Sequence, residues 1–243
     1  MNKYGKLTLG AVPIGDFKDS SLNLIDYIIN HKIILVENVE VFNQLCENLN
    51  IKTNAQIINW GNTELSDSLE SNSIKWYDKL DYFINILKNG TDILLLSDEG
   101  TAGIIDPGAF LLTKCKENSI PIKVMPGPNA IIPSIVIASF GPSFYFHGSA
   151  KNKDIRIKVF SNMCGFDFAT IYFVTDDIIV DFIEDAIKYF GEERNVALCA
   201  NLTKDNESLL FTNLKNLLRK KIENEINGDM TLTIQGKTPT IIN

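Results

Sequence analysis

The chain has 243 residues and a net charge of −7, with 45% apolar and 22% charged residues. This composition is typical of a globular protein, allows one large or two ordinary domains, and excludes a basic module that binds nucleic acid by charge alone. The longest apolar stretch, residues 130–140, contains a proline and is too short to span a bilayer. The first residues do not resemble a signal peptide. We therefore expect a cytoplasmic protein with no membrane association.

Cysteine and histidine usage argues against a metal site. Four cysteines lie far apart with no Cys-x-x-Cys pair, and only two histidines are present: Cys46, Cys115, Cys164, Cys199, His31 and His147. This spacing predicts reduced, buried thiols rather than disulfides or a zinc centre. We expect no metal cofactor and no histidine-based catalytic triad.

In the first half of the chain, short apolar runs alternate with segments of helical periodicity. They predict strands at 6–12, 33–36, 57–58, 93–96 and 122–125, and helices at 22–29, 41–49, 76–87, 110–118 and 131–139. Residues 62–73 are polar and predict a loop, and residues 144–147 predict the last strand of this half. The alternation indicates a right-handed parallel α/β sheet.

The second half begins another alternation after a linker at 148–153. Helices are predicted at 156–162, 180–189 and 209–225, and strands at 169–174, 195–200 and 231–234. The sequence therefore predicts two α/β domains, residues 1–147 and 148–243.

The loop that follows the predicted strand at 93–96 carries the strongest functional signal. It contains Asp98, a second aspartate, three glycines and a proline before the next helix begins. A strand, a glycine-bearing loop and a helix place a ligand at the carboxyl end of a parallel sheet. Glycines let backbone N–H groups approach that ligand, and Asp98 supplies an acceptor for a hydroxyl or an ammonium group. A turn with an aspartate helix cap is the alternative, but this loop is longer than a cap requires.

Several motifs together resemble the tetrapyrrole methylase superfamily, the class III methyltransferases that use S-adenosylmethionine (SAM). The central one, residues 97–108, is similar to Ser-Asp-Ala-Gly-Thr-Pro-x-Ile-x-Asp-Pro-Gly, and the others lie at 12–19, 126–130 and 201–207. Their order and spacing are closest to the bacterial small-subunit ribosomal RNA cytidine 2′-O-methyltransferases. A dinucleotide-binding Gly-x-Gly-x-x-Gly and a P-loop are both absent from the sequence.

The resemblance implies two α/β domains of the tetrapyrrole methylase type, with SAM in the cleft between them, and a homodimer. It assigns cofactor contacts to residues of both domains: Ile14, Ser97, Asp98, Gly100, Thr101, Asn129, Ala130, Val174, Ala200 and Thr231. No metal is implied.

Methyl transfer needs an in-line approach of the acceptor, and a ribose hydroxyl also needs a base within reach. The candidate carboxylates are Asp16, Glu37, Asp98 and Asp106. We expect Glu37 to be the catalytic base, because it follows a buried strand toward the same edge of the sheet.

A basic cluster that begins in the linker is the candidate substrate surface: Lys151, Lys153 and Arg156, followed by Lys158. A solvated linker and helix face is the alternative. The sequence also departs from the ribosomal RNA branch, because residues 37–40 read Glu-Asn-Val-Glu where that branch has Glu-Asp-Thr-Arg.

Three functions stay open on these residues. The first, which we expect, is methylation of ribosomal RNA. The second is methylation of a tetrapyrrole, a peptide or a small metabolite. The third is a non-catalytic SAM-binding or interaction protein.

Overall fold

The computed structural model describes residues 4–61, 72–105, 108–223 and 226–238, with only the backbone of residues 72–78. These residues fall into two compact units, Met1–Asn129 and Ala130–Asn243. Each unit contains a five-stranded sheet and helices, which confirms the predicted α/β class. The predicted loop at 62–73 lies outside the described residues except for its last two, which begin a helix.

The first unit alternates strands and helices along the chain. Its elements are β1 (Leu7–Leu9), β2 (Ala11–Val12), a 3₁₀ helix (Phe17–Asp19), α1 (Leu22–Asn30), β3 (Ile33–Val36), α2 (Val39–Asn48), β4 (Gln56–Asn59), α3 (Asn72–Lys88), β5 (Ile93–Leu96), β6 (Gly100–Thr101), α4 (Gly108–Glu117) and β7 (Ile122–Val124). Helices α1 to α4 occur where the periodicity predicts them, with ends displaced by a few residues, as is usual for helix termini.

The main sheet of the first unit is parallel throughout, in the order β4-β3-β5-β1-β7. The apolar side chains of β5 alternate between its faces: Ile93 and Leu95 pack with α3 and α4, and Leu94 and Leu96 pack with α1 and α2. Burial on both faces explains why this strand is a continuous apolar run. Val36 pairs with Leu96, so the loops after β3 and β5 leave the same edge of the sheet side by side.

The strand predicted at 6–12 is divided at Gly10, because the chain leaves the main sheet there. A Cβ atom on Gly10 would lie 2.3 Å from Cδ2 of Leu96, so a side chain there would require the buried Leu96 to shift. Strand β2 then pairs antiparallel with β6, with Ala11 opposite Thr101 and Val12 opposite Gly100. The sequence predicts residues 100–101 only as loop, since this short pairing depends on a partner far along the chain.

The second unit contains α5 (Ile131–Ala138), β8 (Phe144–Ser149), α6 (Lys153–Met163), β9 (Ala169–Val174), α7 (Ile179–Phe190), β10 (Asn195–Ala200), β11 (Ser208–Asn213), α8 (Leu214–Ile222) and β12 (Met230–Ile234). Its sheet is mixed, in the order β11-β10-β12-β9-β8, and only β8 and β9 are parallel. Helices α6, α7 and α8 contribute to a large core on one face, and α5 packs against β10 and β12.

Two predictions for this region are wrong. Strand β8 pairs with β9 in the second sheet, so it is not the last strand of the first one. Residues 209–225 are not one helix, because β11 pairs antiparallel with β10 before α8 begins. Pairing across the sheet outweighs local helical propensity here. The side chain of Asn213 then accepts a hydrogen bond from the backbone N–H of Asn216 and begins α8 as its N-cap.

The compact units divide between Asn129 and Ala130, whereas the sequence places the domain boundary between His147 and Gly148. The difference arises from α5 and β8, which belong to the second sheet by packing and by hydrogen bonding. Among the described residues, no helix has the length and apolarity to cross a bilayer.

Candidate functional site

The loop after β5 is shaped by its own polar groups. The Ser97 hydroxyl donates to the backbone carbonyl oxygens of Glu99, at 3.2 Å, and Gly100, at 3.4 Å. Gly100 has a φ of +73° and Gly103 a φ of +99°, a left-handed conformation that favours glycine. The side chain of Ser97 is thus hydrogen-bonded inside the loop. The two glycines supply the left-handed backbone conformation that the loop requires.

Three segments that are distant in sequence meet at Gly100. A Cβ atom on Gly100 would lie 3.8 Å from Cγ2 of Ile14, 3.8 Å from the carbonyl oxygen of Pro128 and 3.9 Å from Cα of Asn129. The first loop, the central loop and the Pro-Gly-Pro turn are therefore neighbours at the β2–β6 ladder. The structure brings together Ile14, Gly100, Thr101 and Asn129, all of which the resemblance assigns to the cofactor.

Close backbone packing holds the Pro-Gly-Pro turn in place. A Cβ atom on Gly127 would lie 2.7 Å from Cβ of Ala11, so a side chain there would displace the turn from β2. Ala130, two residues after this turn, occupies the N-cap position of α5 without a side-chain hydrogen bond.

Asp98 is half-buried, and its surroundings shift the pKa of its carboxyl group. Burial raises the pKa of its carboxyl group above the ordinary value, and a hydrogen bond from the backbone N–H of Asn38 acts in the opposite direction. A cavity of about 30 Å³ lies beside it, with apolar walls apart from Asn38, Ser97 and Asp98. That volume holds water rather than a ligand of the size of SAM. The carboxylate can nevertheless accept hydrogen bonds from a hydroxyl or an ammonium group at the mouth of the loop.

The candidate bases have different surroundings. Oε2 of Glu37 accepts a hydrogen bond of 3.1 Å from the backbone N–H of Asp98, so this carboxylate contacts the central loop itself. Oδ1 of Asp16 accepts from the backbone N–H of Lys18, at 2.9 Å, and caps the 3₁₀ helix. Asp106 lies outside the described residues. Glu37 and Asp98 are therefore neighbours, as the adjacent ends of β3 and β5 require.

In the second unit, the predicted cofactor residues lie at one end of the sheet. Met230 pairs with Val174 on one side and with Ala200 on the other, and Thr231 follows it in β12. The side chains of Val174 and Ala200 belong to the hydrophobic core, and Thr231 is only 3% exposed. All three side chains are therefore buried inside the second unit.

Sequence reasoning missed a polar network next to those strand ends. Lys221 is 5% exposed, and its ammonium group donates to Oδ1 of Asp176, at 2.5 Å, and to the carbonyl oxygen of Ile226. Oδ2 of Asp176 accepts from the backbone N–H of Gly228, at 2.8 Å. Gly228 has a φ of +110°, and a Cβ atom there would lie 2.1 Å from Oδ1 of Asn201. The Asn-Gly-Asp turn before β12 is the available sequence signal, but it does not identify its distant partners.

The Asn201 side chain completes this network. It donates to the carbonyl oxygen of Asn227, at 2.8 Å, and accepts from the backbone N–H of Asp229, at 3.1 Å. An amide can do both, because it carries an NH₂ donor and an acceptor oxygen. Asn201 is therefore matched to the turn that it holds.

The basic cluster is only partly a surface. Lys151 and Lys153 are exposed, but Arg156 is 2% exposed and lies in the core of the second unit. Its guanidinium donates to Oδ2 of Asp185 through Nε, at 3.1 Å, and Nη2, at 2.5 Å, and Nη1 donates to the carbonyl oxygen of Ala150. The prediction that Arg156 contacts substrate is therefore wrong, because a buried cation requires this pairing.

In the described part of the chain, no group of three or more His, Cys, Asp or Glu side chains is arranged to hold a metal ion.

Comparison with known proteins identifies the family of the chain. A family model of tetrapyrrole (corrin/porphyrin) methylases matches residues 6–218. The chain is 30% identical over 199 residues to the ribosomal RNA small subunit methyltransferase I of Mesomycoplasma conjunctivae, covering 82% of this chain and 79% of the relative. It is 29% identical over 234 residues to the protein of that name from a Hydrogenobaculum species, covering 94% and 95% of the two chains.

Solved structures show the same fold at low sequence identity. The methyltransferase CobJ superposes with a TM-score of 0.70 at 11% identity, covering 98% of this chain and 97% of that one. The cobalt precorrin-4 methyltransferase CbiF gives 0.63 at 13% identity, covering 95% and 94%. With the family match over most of its length, the chain belongs to the tetrapyrrole methylase family and is a SAM-dependent methyltransferase.

Proposed function

We propose that this protein transfers the methyl group of SAM to a ribose 2′-hydroxyl of small-subunit ribosomal RNA. The observation that carries the proposal is the meeting of the first loop, the central loop and the Pro-Gly-Pro turn at Gly100. The named relatives from Mesomycoplasma and Hydrogenobaculum support the choice of acceptor.

The residues of the first unit suit SAM. Asp98 offers a half-buried carboxylate to a hydroxyl or ammonium group, and the backbone at Gly100 is free of a side chain where Ile14 and Asn129 come close. Ser97 keeps the loop in shape through its bonds to the carbonyl oxygens of the loop. When bound, SAM supplies an electrophilic methyl group on a good leaving group, so the protein needs mainly to orient the acceptor.

The contribution of the second unit is a prediction from the resemblance. Val174, Ala200 and Thr231 would meet the adenosine through their backbone atoms, since their side chains are buried. The cleft between the domains, the homodimer and the cytoplasmic location stay predictions of the same kind. Lys151 and Lys153 are exposed cations suited to RNA phosphates, and their contribution should weaken with salt.

One observation favours a different acceptor. Arg156 is committed to Asp185, and Arg194 donates to the carbonyl oxygens of Gln235, at 3.1 Å, and Cys164, at 3.5 Å. Arg219 is the third arginine of the chain, and it is exposed on α8. With few guanidinium groups available for phosphate, methylation of a tetrapyrrole, a peptide or a small metabolite is the second candidate.

Two measurements test the proposal in sequence. Calorimetric titration with SAM and with S-adenosylhomocysteine should show binding in the micromolar range, and no binding to folded protein would refute the assignment. Transfer of a radioactive methyl group should then label small ribosomal subunits that lack the modification, and leave large subunits unlabelled. Binding without any labelling of RNA would instead favour the second candidate, to be tested with a porphyrinogen acceptor.

A further inference from the structure

The loops after β3 and β5 are joined by a hydrogen bond between Asp98 and Glu37. The backbone N–H of Asp98 donates to Oε2 of Glu37 at 3.1 Å. This bond fixes the main chain of the loop at Asp98. The backbone N–H of Asn38 lowers the pKa of the Asp98 carboxyl group against the larger effect of burial, so Asn38 is the neighbour of that carboxyl group from the β3 side.

The segment after β3 that contains Glu37 is itself held in place. The backbone N–H of Glu37 donates to the carbonyl oxygen of Leu96, at 3.2 Å, which continues the sheet ladder beyond the last strand residue. A Cβ atom on Gly61 would lie 2.2 Å from the carbonyl oxygen of Glu37. The backbone at Gly61 therefore packs closely against the backbone at Glu37. Oδ1 of Asn38 accepts from the backbone N–H of Glu40, at 2.8 Å, and caps α2.

This geometry is suited to holding a loop. Oε2, one of the two oxygens of the Glu37 carboxylate, accepts a hydrogen bond from a main-chain donor of the loop that carries Asp98. A general base must in addition present a lone pair to the hydroxyl that it deprotonates, and kinetics distinguish the two roles. The carboxylate thus stabilises the position from which Asp98 accepts hydrogen bonds.

We propose that Glu37 is a positioning residue for the Asp98 loop, and that it acts on cofactor affinity rather than as the catalytic base. The inference rests on the proposed function, because Asp98 is taken there to bind SAM. It replaces the sequence-based expectation that Glu37 removes the proton of the acceptor.

The test compares Glu37→Ala with Glu37→Gln, and uses Glu40→Ala as the matched control. Glu40 is an exposed glutamate three residues later, at the start of α2. Glu37→Ala should raise the calorimetric Kd for SAM roughly 3- to 10-fold, the factor expected for one ordinary hydrogen bond. Glu37→Gln keeps a carbonyl oxygen that accepts the Asp98 N–H, so it should recover most of the affinity. Glu40→Ala should bind SAM like the wild type.

A second readout does not need the cofactor. Hydrogen exchange of the Asp98 amide should accelerate in Glu37→Ala and stay slow in Glu37→Gln, since exchange requires that this hydrogen bond open. Circular dichroism should show that all three variants are folded. If the exchange rate of the Asp98 amide were unchanged in Glu37→Ala, the inference would be overturned even if SAM binding weakened.

Kinetics separate positioning from base catalysis. If Glu37 were the base, both Glu37 variants would lose about 100- to 10,000-fold in kcat at saturating SAM and keep the wild-type Kd. That outcome would overturn the inference and leave the proposed function intact. A wild-type protein that fails to bind SAM would instead remove the proposed function and the inference with it.

Discussion

A substitution of Arg156 distinguishes two interpretations of this residue. The sequence predicts Arg156 at a substrate surface, whereas the structure pairs it with Asp185 in the core of the second unit. Arg156→Met keeps roughly the volume and removes the charge. Among the described residues, this leaves the buried Asp185 with the exposed Lys188 as its one ionic partner, at 3.0 Å. Loss of one member of a buried pair costs about 3–5 kcal/mol. Because Lys188 compensates in part, we expect about 3 kcal/mol, at the lower end of that range.

Hydrogen exchange measured by mass spectrometry can locate this loss. Both tryptophans, Trp60 and Trp76, lie in the first unit, so their fluorescence does not report on the second unit directly. Peptides from β9 and α7 do, because they contain the protected core around the pair. A loss of 3 kcal/mol corresponds to exchange that is roughly 150-fold faster for amides that open with the whole unit.

Two further variants make the measurement decisive. Lys153→Met removes an exposed charge from the same helix and should change stability by less than about 0.5 kcal/mol. The double variant Arg156→Met/Asp185→Leu removes both charges and should recover most of the stability. The core interpretation is refuted if Arg156→Met is as stable as the wild type while its methylation of RNA is impaired.

Three other outcomes follow from the geometry. Asp98→Asn keeps an acceptor for the Asn38 N–H but loses the charge, and it should weaken SAM binding about 10- to 100-fold by calorimetry, as for a hydrogen bond to a charged group. Gly228→Ala combines a φ of +110° with a 2.1 Å approach to Asn201, and we expect about 1–3 kcal/mol lower stability in urea unfolding. Burial alone would raise the pKa of Asp185, but hydrogen bonds from Arg156 and Lys188 outweigh it and lower that pKa. The stability advantage of the wild type over Asp185→Asn should therefore be constant above pH ~4 and decline as the pH falls through the lowered pKa; a gap that widens in acid would contradict this pairing.

The sequence predicts best where the pattern is local. The β5 strand is recognisable because burial on both faces requires an uninterrupted apolar run. Helices α1 and α7 are recognisable because an apolar stripe at helical spacing packs on a sheet. The central loop is recognisable because its glycines and Asp98 occur at the end of a buried strand.

Predictions fail where a partner is remote in sequence. Strand β11 and strand β8 owe their places to pairing with β10 and β9, which local periodicity does not reveal. Arg156 lies among lysines in the sequence. The packing of α6 on α7 is what shows that Arg156 forms an ion pair with Asp185. Glu37 is identified by sequence as a carboxylate at the right edge, but not as an acceptor for the Asp98 N–H.

The amino-acid sequence by itself determined the α/β class, the order of the loops and the family to which they belong. Residue type and spacing suffice for these, since strand burial, helical periodicity and glycine-bearing turns are properties of neighbouring residues. The tertiary structure alone decided that the loops around Ile14, Gly100 and Asn129 meet, and that Arg156 is an internal cation. Both depend on contacts between residues far apart in the chain, which exist only once the two sheets have formed and their helices have packed.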